Sequence, residues 1–404
     1  MDIKGLILSL FLFLSLSCKN SQDFYYGLEH RGDRRISVQH ISVDSIFFDA
    51  SMTSLSGQWL ISPAGNKLFF ADRYAVGVYS YSLDGKYDTS FITQGRGPAE
   101  MSTPSLSACF DENGNFISLD HNSGVNIFSH DFSTRLFYEP LSWFVAIDSS
   151  FNNRSWQNLY NSPNPEIPQM YEYNSYVGRI SYSSGKLFMP IITEHVSYNG
   201  YEKGSHASDF WKNAYTFICY DPLRISSSFK MLGHYPSVYQ KNNLPVFSRY
   251  DFCVSENKVY VSFNADPYIY VMDVEGNPLY SLGFPDTKIN GDYPSTSTFE
   301  EFEERAKKQR KKYGYYDKLY VDHDYVLRTC HISDGECKLQ IYKNNDLIGD
   351  VMLPYNCQIL GRGADGYYYA FKRADYENEQ FVIIKFTINF GNDIPDYTNI
   401  FIKS

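Results

Sequence analysis

An internal repeat constrains this chain more than any other feature. A turn with Gly or Asn, a strand of alternating aromatics, a short polar loop, a second strand, another turn and a third strand recur together along it. PAGNKLFFADRYAVGVYSYSLDGKYDTSF, from Pro63, aligns with DENGNFISLDHNSGVNIFSHDFSTRLFYE, from Asp111, so that Gly65 falls on Gly114, Asp72 on Asp120 and Val78-Tyr79 on Ile127-Phe128. Later copies are SSGKLFMPIITEH with YTFICYDPL, SENKVYVSFNADPYIYVMDVEGNPLYSLG, DKLYVDHDYVLRTCHISDGECKLQIYKNNDLIGDVMLP and GADGYYYAFKRADYENEQFVIIKFTI, which makes six.

One such unit is a small antiparallel sheet that cannot hide both of its faces. Six arranged radially pack face against face and leave only short edges. The expectation is an all-β fold, a six-bladed β-propeller forming one domain over residues 35–404. RRISVQHISVDSIFF, Arg34 to Phe48, is placed to complete the last blade and close the ring. A seven-bladed ring that builds an extra blade from Trp143 to Tyr176 is the alternative, and a pair of β-sandwiches a more distant one. The 36 Tyr and 30 Phe among 404 residues agree, because flat side chains fill a pleated, half-buried surface well. Two segments break the rhythm. Residues 139–178 carry four prolines and dense aromatics and read as a long ordered loop. Residues 297–313, STFEEFEERAKKQRKKY, read as an inserted helix with Ser297 and Glu300 as its capping box. Phe299, Phe302, Ala306 and Tyr313 would share its docking face, and KKQRKK would form a solvated end, with an anionic partner as the lesser reading.

The first residues, MDIKG followed by LILSLFLFLSL and Ser17-Cys18, form a short secretory signal. The apolar run is too short to span a bilayer, which takes about 20 residues. Ser15-Leu16-Ser17-Cys18 resembles a lipobox, with Leu16 second rather than third before the cysteine. The expectation is therefore a signal peptide over 1–17, lipid attachment at Cys18, and a polar tether over 18–34 that stands the domain off a membrane. The six remaining cysteines lack the paired spacing of a zinc site. Cys330 and Cys337 could bridge across a hairpin in an oxidising compartment, or all six could be single buried thiols. A net charge of −10 argues against nucleic acid as a partner.

Gln94-Gly95-Arg96-Gly97-Pro98-Ala99-Glu100 follows the third strand of the first unit. This segment, the lipobox-like start and the blade rhythm resemble the six-bladed β-propeller lipoproteins of the Bacteroidota, a largely uncharacterised family with a G-x-G-P-G/A-E segment at a blade junction. The resemblance implies a lipid-anchored propeller of the cell envelope, at the outer membrane. The glycines would supply unusual backbone angles and Glu100 hydrogen-bond acceptors for the turn. Chemistry-bearing motifs are sparse. G-x-S-x-G, H-E-x-x-H and Walker A patterns are absent from the sequence, and Asp111-Glu112-Asn113-Gly114-Asn115 fits a hairpin turn better than a calcium loop. Asp322-His323-Asp324 and His331 fit surface polar residues better than metal ligands. No catalytic residue, metal or cofactor is assigned. The expected function is binding of a glycan, peptide or envelope protein, with Arg96, Glu100, Trp143, Trp156 and Trp211 as candidate contacts. A propeller hydrolase or lyase acting on polysaccharide is the alternative. Converging carboxylates, or a histidine with carboxylates, in a central pocket would favour it.

Overall fold

The computed structural model describes residues 23–141, 153–193, 195–201, 207–222, 229–332, 336–354 and 356–390. The repeat becomes six antiparallel sheets. Blade 1 comprises Gly57–Ile61, Lys67–Asp72, Val78–Ser82 and Tyr87–Phe91, in that order from the central axis outward. Blade 2 comprises Ser105–Phe110, Phe116–Asp120, Gly124–Phe128 and Arg135–Pro140. In blade 3, Glu172–Tyr173 and Ser181–Ser183 both pair with Lys186–Ile192, and Tyr215–Tyr220 and Lys230–His234 follow. Blade 4 runs through Tyr250–Ser255, Lys258–Phe263, Ile269–Asp273 and Pro278–Leu282, and blade 5 through Tyr315–Asp322, Tyr325–His331, Cys337–Lys343 and Asp346–Leu353. Blade 6 takes Gln358–Arg362, Tyr368–Asp375 and Gln380–Phe390 from the end of the chain and Val38–Asp49 from its beginning. Val38 pairs with Phe390 and Asp49 with Gln380, so the ring closes where the sequence placed the closure.

Blade 3 has five strands and each of the other blades four, against the three of the repeat unit. The repeat unit omits the innermost strand, which precedes the turn, in every copy but the fifth, where DKLYVD already belongs to it. The seven-bladed alternative is overturned. The described part of residues 139–178 ends blade 2, then forms helix α1 (Asn153–Asn161), a 3₁₀ turn at Pro168–Met170 and a short strand of blade 3. Helices α2 (Ala207–Asn213), α3 (Ser237–Asn242) and α4 (Phe299–Lys312) and a second 3₁₀ turn at Pro245–Phe247 complete the helical elements among the described residues. Within a four-stranded meander, alternate connections lie at opposite ends. All four helices fall in connections at one end of the propeller, and the tight hairpins after the inner strands at the other.

The core lies between the blades, as the radial packing argument requires. Phe48, Trp59, Leu68, Phe70 and Phe381 fill the joint of blades 6 and 1, with Trp59 5.3 Å from Phe48 and 5.1 Å from Phe381 between ring centroids. Phe69, Ala108, Phe116 and Phe128 fill the next joint. Full burial of one such ring contributes about 1.5–3 kcal/mol, so each joint adds several. Asp72 and Asp120, aligned in the repeat, are both buried. They accept backbone N–H groups of the following turn, Tyr74 and Ala75 for one and Asn122 and Gly124 for the other.

Residues 23–35 lie partly within the stretch read as a tether, yet they are bound to the domain. Tyr25 is buried and stacks 3.9 Å from Tyr270, His30 and Arg34 make isolated bridges to Ser281 and Leu347, and Arg34 pairs with Asp350 at 3.2 Å. Cys109, Cys219, Cys253, Cys330, Cys337 and Cys357 are all free thiols. Cys330 is opposite Lys338 and Cys337 opposite His331, so the two cysteines leave their ladder on different faces and no bridge forms. In α4 the cap sits one residue later than expected. Thr298 accepts the Glu301 N–H at 3.2 Å, and Glu301 reaches back to the Ser297 N–H at 2.8 Å. Phe302, Ala306 and Tyr313 dock on the core, whereas Phe299 stays largely exposed. No helix among the described residues is long and apolar enough to cross a membrane.

Candidate functional site

The hairpins that follow the six inner strands encircle a chamber of about 790 Å³ at one end of the central channel. Every hairpin holds a residue with positive φ: Gly65 at 68°, Gly114 at 81°, Gly185 at 78°, Asn257 at 60°, His323 at 48° and Gly366 at 86°. These reversals place the last side chains of each inner strand around the mouth. Leu60, Phe110, Val254 and Leu360 make apolar walls, and Ser62, Glu112, Ser181, Ser255, Asp322 and Arg362 make a polar rim.

The rim is stitched from blade to blade. Glu112 accepts the Ser184 N–H at 2.6 Å, Ser184 bonds Asn257, Tyr368 donates to Asp322 at 3.0 Å, and the Ala364 N–H donates to Gly65 at 2.8 Å. Asp111 is spent on its own turn, accepting the N–H groups of Asn113 and Asn115 at 2.9 and 2.7 Å, which is the hairpin reading of that segment. The result is a preorganised surface whose carboxylates already have partners. His323 is highly exposed, with Asp322 and Glu256 each 3.9 Å from its ring nitrogens. Two thiols, Cys109 and Cys253, also line the chamber, and burial pushes the pKa of each upward. They therefore stay protonated at neutral pH and are poor nucleophiles. Burial, reinforced by Glu112, pushes the Tyr182 phenol up to about 12, which keeps it a hydrogen-bond donor.

Deeper along the axis, a chamber of about 130 Å³ opens between Gln58, Ala108, Arg179, Phe252 and Gln358. A polar belt ties the inner strands there. Gln58 exchanges hydrogen bonds with the backbone of Ala108 at 3.0 and 2.8 Å, and Ser107 donates to Gln58 and accepts from the Ile180 N–H, both at 3.0 Å. Arg179 forms an ion pair with Asp251 at 3.1 Å and donates to the carbonyls of Phe252 and Leu319. Asp251 in turn accepts the Leu319 N–H at 2.8 Å. Blades 1 to 5 are joined in series by these contacts.

The candidates chosen from sequence do not converge here. Arg96 is exposed on the connection between blades 1 and 2, on the helix-capped side. Glu100 folds back to accept the Gly97 N–H at 2.5 Å, and a Cβ on Gly95 would lie 2.0 Å from the Glu100 carboxylate. Neither glycine has positive φ, so close approach, and not an unusual backbone angle, is what requires Gly95. Trp211 is 2% exposed, donates to Asn243 at 2.7 Å and stacks on Tyr239; it is core. Trp156 belongs to α1 but its side chain, like Trp143 and Cys18 entirely, lies outside the described residues. Sequence reasoning reads Glu112, Asp322 and His323 only as turn or surface residues, and passes over Gln58, Arg179, Asp251 and the other rim residues. The aligned Gly and Asn turns were the signal that could have found them, since each marks the end of an inner strand.

No protein-family model matches the chain, and no curated protein matches it. Among solved structures, the chain is similar to a member of the DUF4221 family from Bacteroides vulgatus, with 10% identity, a TM-score of 0.63, and coverage of 87% of this chain and 99% of that one. It also matches a Bacteroides fragilis protein described as exported, with 13% identity, a TM-score of 0.47, and coverage of 88% and 99%. At these identities, the first likeness establishes the propeller fold and nothing finer.

Proposed function

We propose that the protein is a binding module of the cell envelope, anchored through a lipid on Cys18 at the outer membrane, which takes a glycan or peptide into the hairpin-end chamber. The observation that carries this is the chamber itself: about 790 Å³, with all six blades contributing to it and its acceptors held in place by inter-blade bonds. Fixed acceptors beside aromatic and aliphatic walls suit the alternating polar and apolar faces of a sugar or an extended peptide. Such a site recognises without needing an activated group. An envelope protein that presents such a segment would be met in the same way.

The test is a glycan and peptide array probed with the wild-type chain and with Ser255→Trp, which fills the mouth. Hits lost in Ser255→Trp support the chamber; hits that persist unchanged overturn it. His323 beside Asp322 and Glu256 is the observation that favours the second reading, a hydrolase or lyase acting on polysaccharide. Product release from a hit, abolished by His323→Ala, would replace binding with that reading. For the anchor, Cys18→Ala should release the protein from the membrane fraction, and unchanged retention would refute it.

A further inference from the structure

A second cavity, of about 90 Å³, lies at the helix-capped end, between α4, the segment leading into the inner strand of blade 4 and the connection into blade 3. Its walls include Tyr176, Tyr201, Tyr235 and Phe302, and two guanidinium groups, Arg249 and Arg310, open onto it. Arg310 belongs to the KKQRKK run, but it alone among those cations turns inward while Lys307, Lys308, Lys311 and Lys312 stay exposed. One of its nitrogens donates to Val246 at 3.1 Å and Asn264 at 3.0 Å, and its plane lies 4.1 Å over Tyr315. Arg249 lies 4.9 Å over Tyr176 and makes no side-chain hydrogen bond or ion pair among the described residues.

Neither arginine has a carboxylate partner within ion-pair distance among those residues. The carboxylate whose field Arg249 feels is Asp317, which instead accepts from Asn356 at 3.5 Å. Arg249 keeps an exposed edge, and the desolvation of its inner part, followed by the charge of Arg310, pulls its pKa down. A guanidinium presents a planar fork that matches carboxylate, sulfate or phosphate, and an aromatic ring beneath it holds the plane ready. The cavity is small, so it suits one anionic group.

We propose that this cavity is an anion-binding site that receives a single carboxylate, sulfate or phosphate group of a ligand between Arg249 and Arg310. It goes beyond the chamber reading and stands at the opposite end of the propeller.

The experiment is calorimetric titration of the full chain with sodium sulfate, inorganic phosphate, glucuronate and N-acetyl-alanyl-alanine, at an ionic strength held constant with sodium chloride. The four probes separate free oxyanions from a uronic sugar and a peptide carboxylate. Saturable one-site binding of at least one probe is expected, weakened about tenfold or more in Arg249→Gln, with Arg249→Lys between the two. Because Arg249 makes no side-chain hydrogen bond among the described residues and only rests over Tyr176, Arg249→Gln should melt close to wild type without ligand. Absence of saturable binding for all four probes, or equal binding by wild type and Arg249→Gln, overturns the site. Ser255→Trp should leave anion binding intact, so failure at either end is read separately; loss of anion binding in that variant would place the anion elsewhere and also overturn it.

Discussion

Replacing Asp266 with Asn should stabilise the protein at neutral pH and leave it unchanged at low pH. Asp266 sits in the turn between the second and third strands of blade 4 and is 6% exposed. Its carboxylate accepts the Tyr268 N–H at 2.9 Å and the Tyr270 hydroxyl at 3.0 Å. Burial dominates these bonds and raises its pKa from 3.8 to about 6. The folded state therefore holds the proton more tightly than the unfolded state does. The stability this lends is complete below about pH 4 and is lost as pH rises through about 6. The rise corresponds to about 3 kcal/mol. Asn keeps an acceptor for Tyr268 and is neutral at every pH, so Asp266→Asn removes the cost of ionising a buried group. Urea unfolding of both proteins at pH 4, 5, 6 and 7 provides the assay, because the difference between them cancels every other titrating group. That difference should grow from near zero at pH 4 to about 3 kcal/mol in favour of the variant at pH 7. A difference independent of pH, or a variant less stable than wild type at pH 7, would refute the reasoning.

Three further outcomes follow from the same geometry. Arg179→Met should cost about 3–5 kcal/mol in chemical denaturation, because it leaves the buried Asp251 carboxylate without its ion pair; a cost under about 1 kcal/mol would mean that the belt contributes little. Gly95→Ala must push the Glu100 carboxylate off the Gly97 N–H and should cost about 1.5–3 kcal/mol in thermal or urea unfolding, and adding Glu100→Ala should then cost little more; additive losses would separate the two residues. Cys109 and Cys253, whose thiols burial pushes upward, should react slowly with iodoacetamide at pH 8 in the native protein and rapidly after unfolding, as mass spectrometry of the modified peptides would show; rapid native labelling would contradict their protonated state.

The amino-acid order alone determined that six aromatic units must share their faces, and that the stretch ending at Phe48 must return to the final blade. Both follow from local alternation and from the inability of a lone sheet to bury two sides. The turn glycines and asparagines were legible for the same reason, because a reversal with positive φ selects its residue locally. Most innermost strands were not: Ser181–Ser183 is only three residues long, and Gly57–Ile61 lies ahead of the turn from which the repeat is read, whereas DKLYVD of the fifth copy was legible. Trp211, chosen as a contact for its chemistry, proved to be interior, since exposure depends on which surfaces the connections cover. Gln58, Ser107, Arg179 and Asp251 lie far apart along the chain, and only curling the blades around one axis turns them into a belt. Arg249 and Arg310 likewise meet because α4 folds back over the start of the inner strand of blade 4. Local pattern decides which segments become strands. Radial packing decides which of their side chains converge, because it brings together residues that no window of sequence contains.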